Sequence, residues 1–300
     1  MGNNLDQLPK VDPIDFDFTK RSDFLENSNK KYYFRYFKDY QRASPIEKQF
    51  LASQVVDLFK TSFLTTNNID DWMSYYFNFP NAVGVDLIFI IDKKSQKAQG
   101  FTIYTIIEVC LEPGNNKQEN KYLVSTGLAG INPEYRRAGV YRDIFFSSFY
   151  LNIAKYPNKN YIHYDVSINP ISFYIVNKSS WWVFPGPGKE LNCKQMDFFI
   201  KLIGAFECSS VVKEKPYLVY EPNVIDESEK NNWRSGYADF PEEIKFFIDQ
   251  TKLENDIGIA FIAAGLLIEG NTLGLPAKNY IAEERPNVEI VEHTFKVPKL

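Results

Sequence analysis

The spacing of apolar and polar positions divides the chain into short elements. Residues 1–30 are polar and acidic apart from a few side chains such as Phe16 and Phe18, and read as an arm laid over the domain. Tyr32-Tyr33-Phe34-Arg35-Tyr36-Phe37 concentrates strand formers and predicts a first strand. Ser44-Pro45-Ile46-Glu47 then opens a helix, with Ser44 as cap, Pro45 at the first helical position and Glu47 completing a capping box. Leu51, Val55 and Leu58 carry it at helical spacing to about Phe63. A shorter helix over Ile69–Phe77 is opened by Asn68 or Asp70. Val83–Asp92 and Gln99–Glu112 are β-branched and aromatic runs joined by a polar hairpin at 93–97, and after a loop over 113–120 a third such strand covers Lys121–Gly130. A long helix follows to about Lys155, with Phe145, Phe149 and Ile153 on one face opposite Arg142, Asp143 and Ser147. Tyr161–Ser167 reads as a strand and Pro170–Lys178 as a short helix.

Past Trp181 the periodicity weakens. Pro185-Gly186-Pro187-Gly188 is a sharp break, Lys194–Ala205 and Pro241–Gln250 read as helices, and Tyr217–Tyr220 as a strand. Ile257–Ile268 is an apolar run ended by Gly270-Asn271, read as a strand, with a buried helix as the alternative. Residues 271–300 read as a surface tail. The expected organisation is an arm over 1–30, a domain over 31–270 with core motifs at 121–180, and the tail.

Composition narrows the class. Hydrophobic residues make up 44% and charged residues 24% of 300, which is ordinary for a folded chain. With 25 Phe, 19 Tyr and 4 Trp there is ample apolar area for a large core. A net charge of −4 offers no basic footprint, so no nucleic-acid partner is expected. Cys110, Cys193 and Cys208 are widely spaced and form no CxxC pair, and His163 and His293 lie far apart, so no disulfide scaffold or metal site is expected. No apolar run is long enough to span a bilayer, and the acidic start lacks a signal-peptide core, so the expectations are no membrane and a cytoplasmic location.

The chemistry is concentrated in Leu128-Ala129-Gly130-Ile131-Asn132-Pro133-Glu134-Tyr135-Arg136-Arg137-Ala138-Gly139-Val140-Tyr141-Arg142. A strand ends, Pro133 breaks it, a basic turn with a glycine follows, and a helix begins at once. Free N–H groups and the helix dipole make that start an anion site, and Arg136, Arg137 and Arg142 add full charges. A phosphate or diphosphate is one guest for such a turn, and a solvated basic surface is the other reading.

At these residues the sequence resembles the GNAT superfamily of acyl-CoA-dependent N-acyltransferases. Ile131 and Pro133 match the end of that family's fourth strand, and Arg136-x-x-Gly139 matches its Gln/Arg-x-x-Gly-x-Gly/Ala signature. The order strand, two helices, three antiparallel strands, helix, strand, helix agrees over about Lys31 to Lys178. Asn169-Pro170-Ile171-Ser172 resembles the family's Asn-x-x-Ala. The resemblance implies an α/β (α+β) fold, with a mixed, mainly antiparallel twisted sheet flanked by helices, here carrying a C-terminal extension. It implies acetyl-CoA or another acyl-CoA as cofactor and an amine acceptor as partner. The diphosphate would rest on Arg136, Arg137, Ala138, Gly139, Val140, Tyr141 and Arg142, the pantetheine arm would bond main chain near Ala129 and Ile131, and Asn169 and Ser172 would lie near the thioester. Two positions depart from the family. Tyr141 stands where the signature has Gly or Ala, and the frequent tyrosine acid falls on Val176. The nearest phenol, Tyr174, is two residues earlier and about 200° round the helix.

For a base, His163 and Asp165 share one face of their strand, since strand side chains alternate. His163 titrates in the right range, although a strand histidine is more often packed and hydrogen-bonded. Glu108, Ser125 and Thr126 are weaker candidates. Trp181-Trp182-Val183-Phe184-Pro185 is expected to pack on a sheet edge rather than to recognise a ligand, and Lys30-Lys31 and Lys93-Lys94 to be solvated. Alternatives to a transferase are a non-catalytic CoA-binding module on the same scaffold and a microbial effector working through the residues beyond 181.

Overall fold

A computed structural model of the chain describes residues 30–62, 74–111, 120–156, 160–179, 182–191, 193–206, 210–221, 226–264 and 290–293. The strands are β1 (Tyr32–Phe37), β2 (Ala82–Asp92), β3 (Ala98–Leu111), β4 (Asn120–Ile131), β5 (Asn160–Ser167), β6 (Trp182–Phe184), β7 (Leu218–Tyr220), β8 (Ile257–Ala264) and β9 (Ile290–His293). The helices are α1 (Pro45–Ser62), α2 (Val140–Lys155), α3 (Pro170–Ser179), α4 (Cys193–Ala205), α5 (Glu227–Ser235) and α6 (Glu242–Thr251). The strands form one 9-stranded sheet in the order β6-β8-β5-β4-β3-β2-β1-β9, with β7 also on β8. Pairing is antiparallel except for β4 with β5 and β1 with β9. This is the mixed, mainly antiparallel, helix-flanked sheet that the sequence implies.

Both faces of the sheet are buried, which is why its strands read as near-continuous apolar runs. Leu87, Phe89 and Ile91 of β2 pack with Leu51, Val55 and Phe59 of α1, while Ile88 and Ile90 pack with Val140, Ile144 and Leu151 of α2. At the other end, Ile259, Phe261 and Ala263 of β8 meet α3 and α6, while Ala260 and Ile262 meet Phe198, Phe199 and Leu202 of α4. The strands beyond 181 thus extend the same sheet. Among the described residues no helix is long and apolar enough to cross a membrane.

The start of α1 forms as its sequence dictates. The Ser44 N–H donates to Glu47 Oε2 at 2.8 Å, and the Glu47 N–H to Ser44 Oγ at 3.3 Å. Trp182–Phe184, expected at a sheet edge, is itself an edge strand on β8. Residues 74–77 are helical, and the rest of the helix expected over Ile69–Phe77 lies outside the described residues, as do the arm over 1–29 and the end of the 257–268 run.

Three expectations need correction. The sequence puts Asp143 and Ser147 on a polar face of α2, yet both are buried; Asp143 accepts from the Tyr32 hydroxyl at 2.5 Å and pairs with Lys30 Nζ at 2.9 Å. That pair also removes Lys30 from the solvated surface. Within the tail, Ile290–His293 adds a parallel strand to β1 and buries both end residues. Helix α5 carries no apolar stripe and was not foreseen; the Asp226 side chain caps it, accepting from the Ser228 N–H at 2.7 Å.

The C-terminus of α2 is tied to the sheet by a buried cation. Lys155 Nζ lies 2.5 Å from Asp39 and 2.9 Å from Asp86, and Asp86 also accepts from the Tyr36 hydroxyl at 2.8 Å. Burial alone would lower the Lys155 pKa, but the two carboxylates outweigh it and raise it. Removing the ammonium leaves Asp86, 2% exposed, without a countercharge. Lys155→Met is therefore expected to cost about 3–5 kcal/mol, read as a lower urea midpoint, and Asp39→Ala less, since Asp39 is partly exposed.

Candidate functional site

Strands β4 and β5 pair over four positions, from Tyr122 with Asn160 to Ser125 with His163, and then separate. Beyond that point β4 keeps its ladder with β3 to Ile131, and β5 keeps its ladder with β8 to Ser167. A cavity of about 610 Å³ opens along the parting. Gly127, Leu128, Ala129 and Ile131 line it from β4, and Asp165, Val166 and Ser167 from β5. Backbone groups of β4 that would have paired with β5 face this space, so an extended ligand has a strand edge to bond.

At the head of the cavity Asn132 caps a 3-10 turn over Pro133–Ala138, accepting from the Glu134 N–H at 3.2 Å. Gly139 follows in the left-handed region at φ 74°, where a β-carbon is strained, and among the described residues nothing lies within 4 Å of where that carbon would stand. Helix α2 begins at once, so its first N–H groups lack partners within the helix. Tyr141, Ile144 and Phe145 of its first turns line the cavity, Val140 is in the core, and Arg142 is exposed beside Asp143. The side chains of Arg137 and Ala138 lie outside the described residues.

Arg136 lines the cavity but is engaged. Its Nε donates to the Ile131 carbonyl at 3.2 Å, one terminal nitrogen donates to the Ser62 carbonyl at 2.6 Å, and the other lies 3.8 Å from Glu229. It joins β4, α1 and α5 across the opening. Tyr141 is turned into the cavity wall and hydrogen-bonds Ser172, and burial raises its pKa far above the usual phenol value. Asn169 also lines the cavity, and its Oδ1 caps α3 by accepting from the N–H groups of Ile171 at 2.8 Å and Ser172 at 3.4 Å.

Of the acid–base candidates, His163 and Asp165 reach the cavity and Tyr174 does not. Tyr174 packs on the α3–α6 core with Lys178 Nζ 5.7 Å above its ring, and Val176 is fully buried there. His163 is 4% exposed and lies edge-on to Phe145, yet it borders the cavity, so packing and access coexist. A chain of polar contacts leads to its ring. The Asn152 amide donates to the Tyr161 oxygen at 2.9 Å, Tyr161 bonds Ser125, and Ser125 Oγ lies 3.0 Å from His163 Nδ1. Read in one direction, that chain spends the Nδ1 lone pair and puts hydrogen on Nε2, which faces Asp165 at 3.6 Å. Burial raises the Asp165 pKa, against the lowering influence of His163 and of the Val166 N–H at 2.8 Å.

One group in the cavity escaped sequence reasoning. Glu221 stands just past β7, a three-residue strand placed only by its pairing with β8, and its N–H donates to the Asp256 carbonyl at 2.9 Å. It fits there because β8 has a glycine below it: a β-carbon on Gly258 would meet Val166 at 2.6 Å and Glu221 at 3.3 Å. Burial, and then the charge of Asp165, push the Glu221 pKa up to about 8. No motif marks such a residue.

With the parted strands and the helix start in place, the architecture is a mixed, mainly antiparallel sheet flanked by helices and opened between β4 and β5. No protein-family model matches the sequence, and no curated protein matches it. Among solved structures the chain is similar to a protein assigned to the GNAT family from Desulfovibrio desulfuricans (9% identity, 78% of this chain and 99% of that one, TM-score 0.34). It is also similar to AtaTR bound with AcCoA (8%, 50% and 84%, TM-score 0.30) and to a chain of a KacTA–DNA complex (10%, 60% and 91%, TM-score 0.26).

The raised Glu221 pKa has a consequence for stability. Between about pH 4.5 and pH 8 the folded protein holds a proton that the unfolded chain has released, so stability falls as pH rises through that window. Urea unfolding at pH 5 and pH 8 should show the loss in wild type, and Glu221→Gln should reduce it.

Proposed function

We propose that the chain is an acyl-CoA-dependent N-acyltransferase, with acetyl the expected acyl group and an amine as acceptor. One observation carries this reading: β4 and β5 part at Ser125 and His163, and the cavity between them runs up to the start of α2. The residues present fit such a donor. The freed edge of β4 around Ala129 and Ile131 suits an extended pantetheine arm, and Gly139 with the first N–H groups of α2 suits a diphosphate. Tyr141 does not block that turn, since its ring is held against Ser172.

When bound, an acyl-CoA supplies the acyl group as a thioester. The chain's own residues hold the reactants together, which accounts for most of the rate in a reaction of this kind. Asp165, with Nε2 of His163 3.6 Å away, lines the cavity beyond the point where the strands part. The net change is a protonated amine plus a thioester giving an amide, a thiol and one proton. Cysteine usage supports a reducing, cytoplasmic setting.

A second reading, a non-catalytic CoA-binding module, is favoured by the α3 positions: Val176 carries no acid and Tyr174 lies off the cavity. Calorimetric titration tests both. Wild type is expected to bind acetyl-CoA and CoA, and Gly139→Asp to bind at least about tenfold more weakly with an unchanged circular dichroism spectrum, because it adds strain and charge at the turn. No binding by wild type at millimolar ligand would end either reading. Binding without turnover on a panel of amines would favour the module.

A further inference from the structure

The end of the cavity nearest the fork, where β4 and β5 meet, is walled by buried side chains. Ser125 and His163 are the last paired residues there, and Gly127 is the position of β4 closest to the fork that lines the open space. On its other edge Gly127 pairs with Tyr104 of β3. Directly opposed residues of an antiparallel pair share one face of the sheet, so the tyrosine leans over the place where Gly127 has no side chain. A β-carbon on Gly127 would meet two carbons of the Tyr104 ring at 3.1 and 3.2 Å, and the Ile103 carbonyl at 2.9 Å. The ring is held at its far end as well, because its hydroxyl hydrogen-bonds Thr102 of β3 and Ser148 of α2. Tyr104 thus spans from the sheet to the helix above it and is only 6% exposed. Buried Ile144 and Phe145 of α2 and His163 of β5 complete this wall. The other end is open, with Ile171 and Arg136 both well exposed there.

An extended donor with its diphosphate at Gly139 and its arm along the freed edge of β4 brings its far end to this wall. We propose that Tyr104 is a specificity-determining residue that limits the length of the acyl group, so that the chain takes short acyl thioesters and rejects longer unbranched ones. This rests on the acyl-CoA reading and names the class of donor for that same site. A longer chain running straight on must displace the ring. That breaks the hydroxyl's bonds to Thr102 and Ser148 and crowds a wall whose other members have no room to retreat. Turning aside toward β5 and β7 brings an alkyl chain against Asp165, Ser167 and Glu221, which it would strip of water without bonding them. A two-carbon acyl group meets neither obstacle.

The test is calorimetric titration of the full chain at pH 7 with CoA, acetyl-CoA and hexanoyl-CoA, with no amine present. Wild type is expected to bind hexanoyl-CoA at least about tenfold more weakly than acetyl-CoA, the discrimination that a filled pocket imposes on added methylenes. Tyr104→Val, which puts a smaller strand former in place of the ring, should shrink that ratio to about threefold or less. A purely structural role for Tyr104 would weaken both thioesters together and leave the ratio as in wild type. Equal or tighter binding of hexanoyl-CoA by wild type would overturn the proposal whatever the variant does, and so would a folded Tyr104→Val variant that keeps the wild-type ratio. If wild type binds neither CoA nor acetyl-CoA, the donor reading falls and the proposal with it. If it binds both without discriminating against hexanoyl-CoA, the donor reading stands and only the role of Tyr104 is lost.

Discussion

The structure turns on an interruption of hydrogen bonding. A parallel pair of strands in the middle of a nine-stranded sheet normally continues until one strand ends. Here β4 and β5 both continue and the ladder between them stops after Ser125 and His163. Each strand can afford this because its other edge stays paired, β4 with β3 and β5 with β8. The opening is held by side chains of α2, with Tyr141, Ile144 and Phe145 facing the gap. Unpaired main-chain groups buried from water carry a penalty unless something bonds them. The parting therefore stores binding capacity for an extended, polar-backboned guest, and the rest of the site is arranged along it.

The strands and helices that carry local signals were legible in the sequence, and the residues placed by distant pairing were not. The capping box at Ser44, the β-branched and aromatic run of β2 and the strand–Pro–turn–helix run at 131–142 are read from neighbours, and the structure has them within a residue or two. Asp143 misleads because its partners, Tyr32 and Lys30, are more than a hundred residues away. The strand Ile290–His293 is short and gains its burial only by joining β1. Glu221 is the sharpest case. Its chemistry depends on β7 docking on β8 over Gly258, and on Asp165 arriving from another strand. Residue type and spacing hold no trace of that juxtaposition. Of the positions expected from the sequence to meet a cofactor, Ala129, Ile131, Arg136, Tyr141, Asn169 and Ser172 line one cavity, because they follow from the order of elements.

The hydroxyl relay behind His163 shows how burial assigns a role. The Asn152 amide donates to the Tyr161 oxygen at 2.9 Å, and Ser125 Oγ lies 3.0 Å from the ring at Nδ1. When Ser125 donates to Nδ1, the ring hydrogen lies on Nε2, which faces Asp165 at 3.6 Å. Burial raises the pKa of both acids: at Asp165, His163 and the Val166 N–H work against the rise, whereas at Glu221 the charge of Asp165 adds to it.

Arg136 shows why the charge of the cavity has to be read from contacts rather than from residue counts. Its place in the sequence suggests a cation free to meet phosphate, yet two of its donors are spent on the carbonyls of Ile131 and Ser62. Its pairing with Glu229 at 3.8 Å is between half-exposed groups and contributes little energy, about 1 kcal/mol at most. What it does supply is position. A guanidinium fixed at the ends of β4 and α1 marks the opening as positive on the side of the helix start, while β5, the end of β7 and α5 supply carboxyl groups to the remainder. A cavity with that asymmetry discriminates by orientation, since a molecule with its negative charge toward the turn at Gly139 and its reactive end toward Asp165 is stabilised along its length, and the reverse placement is opposed at both ends.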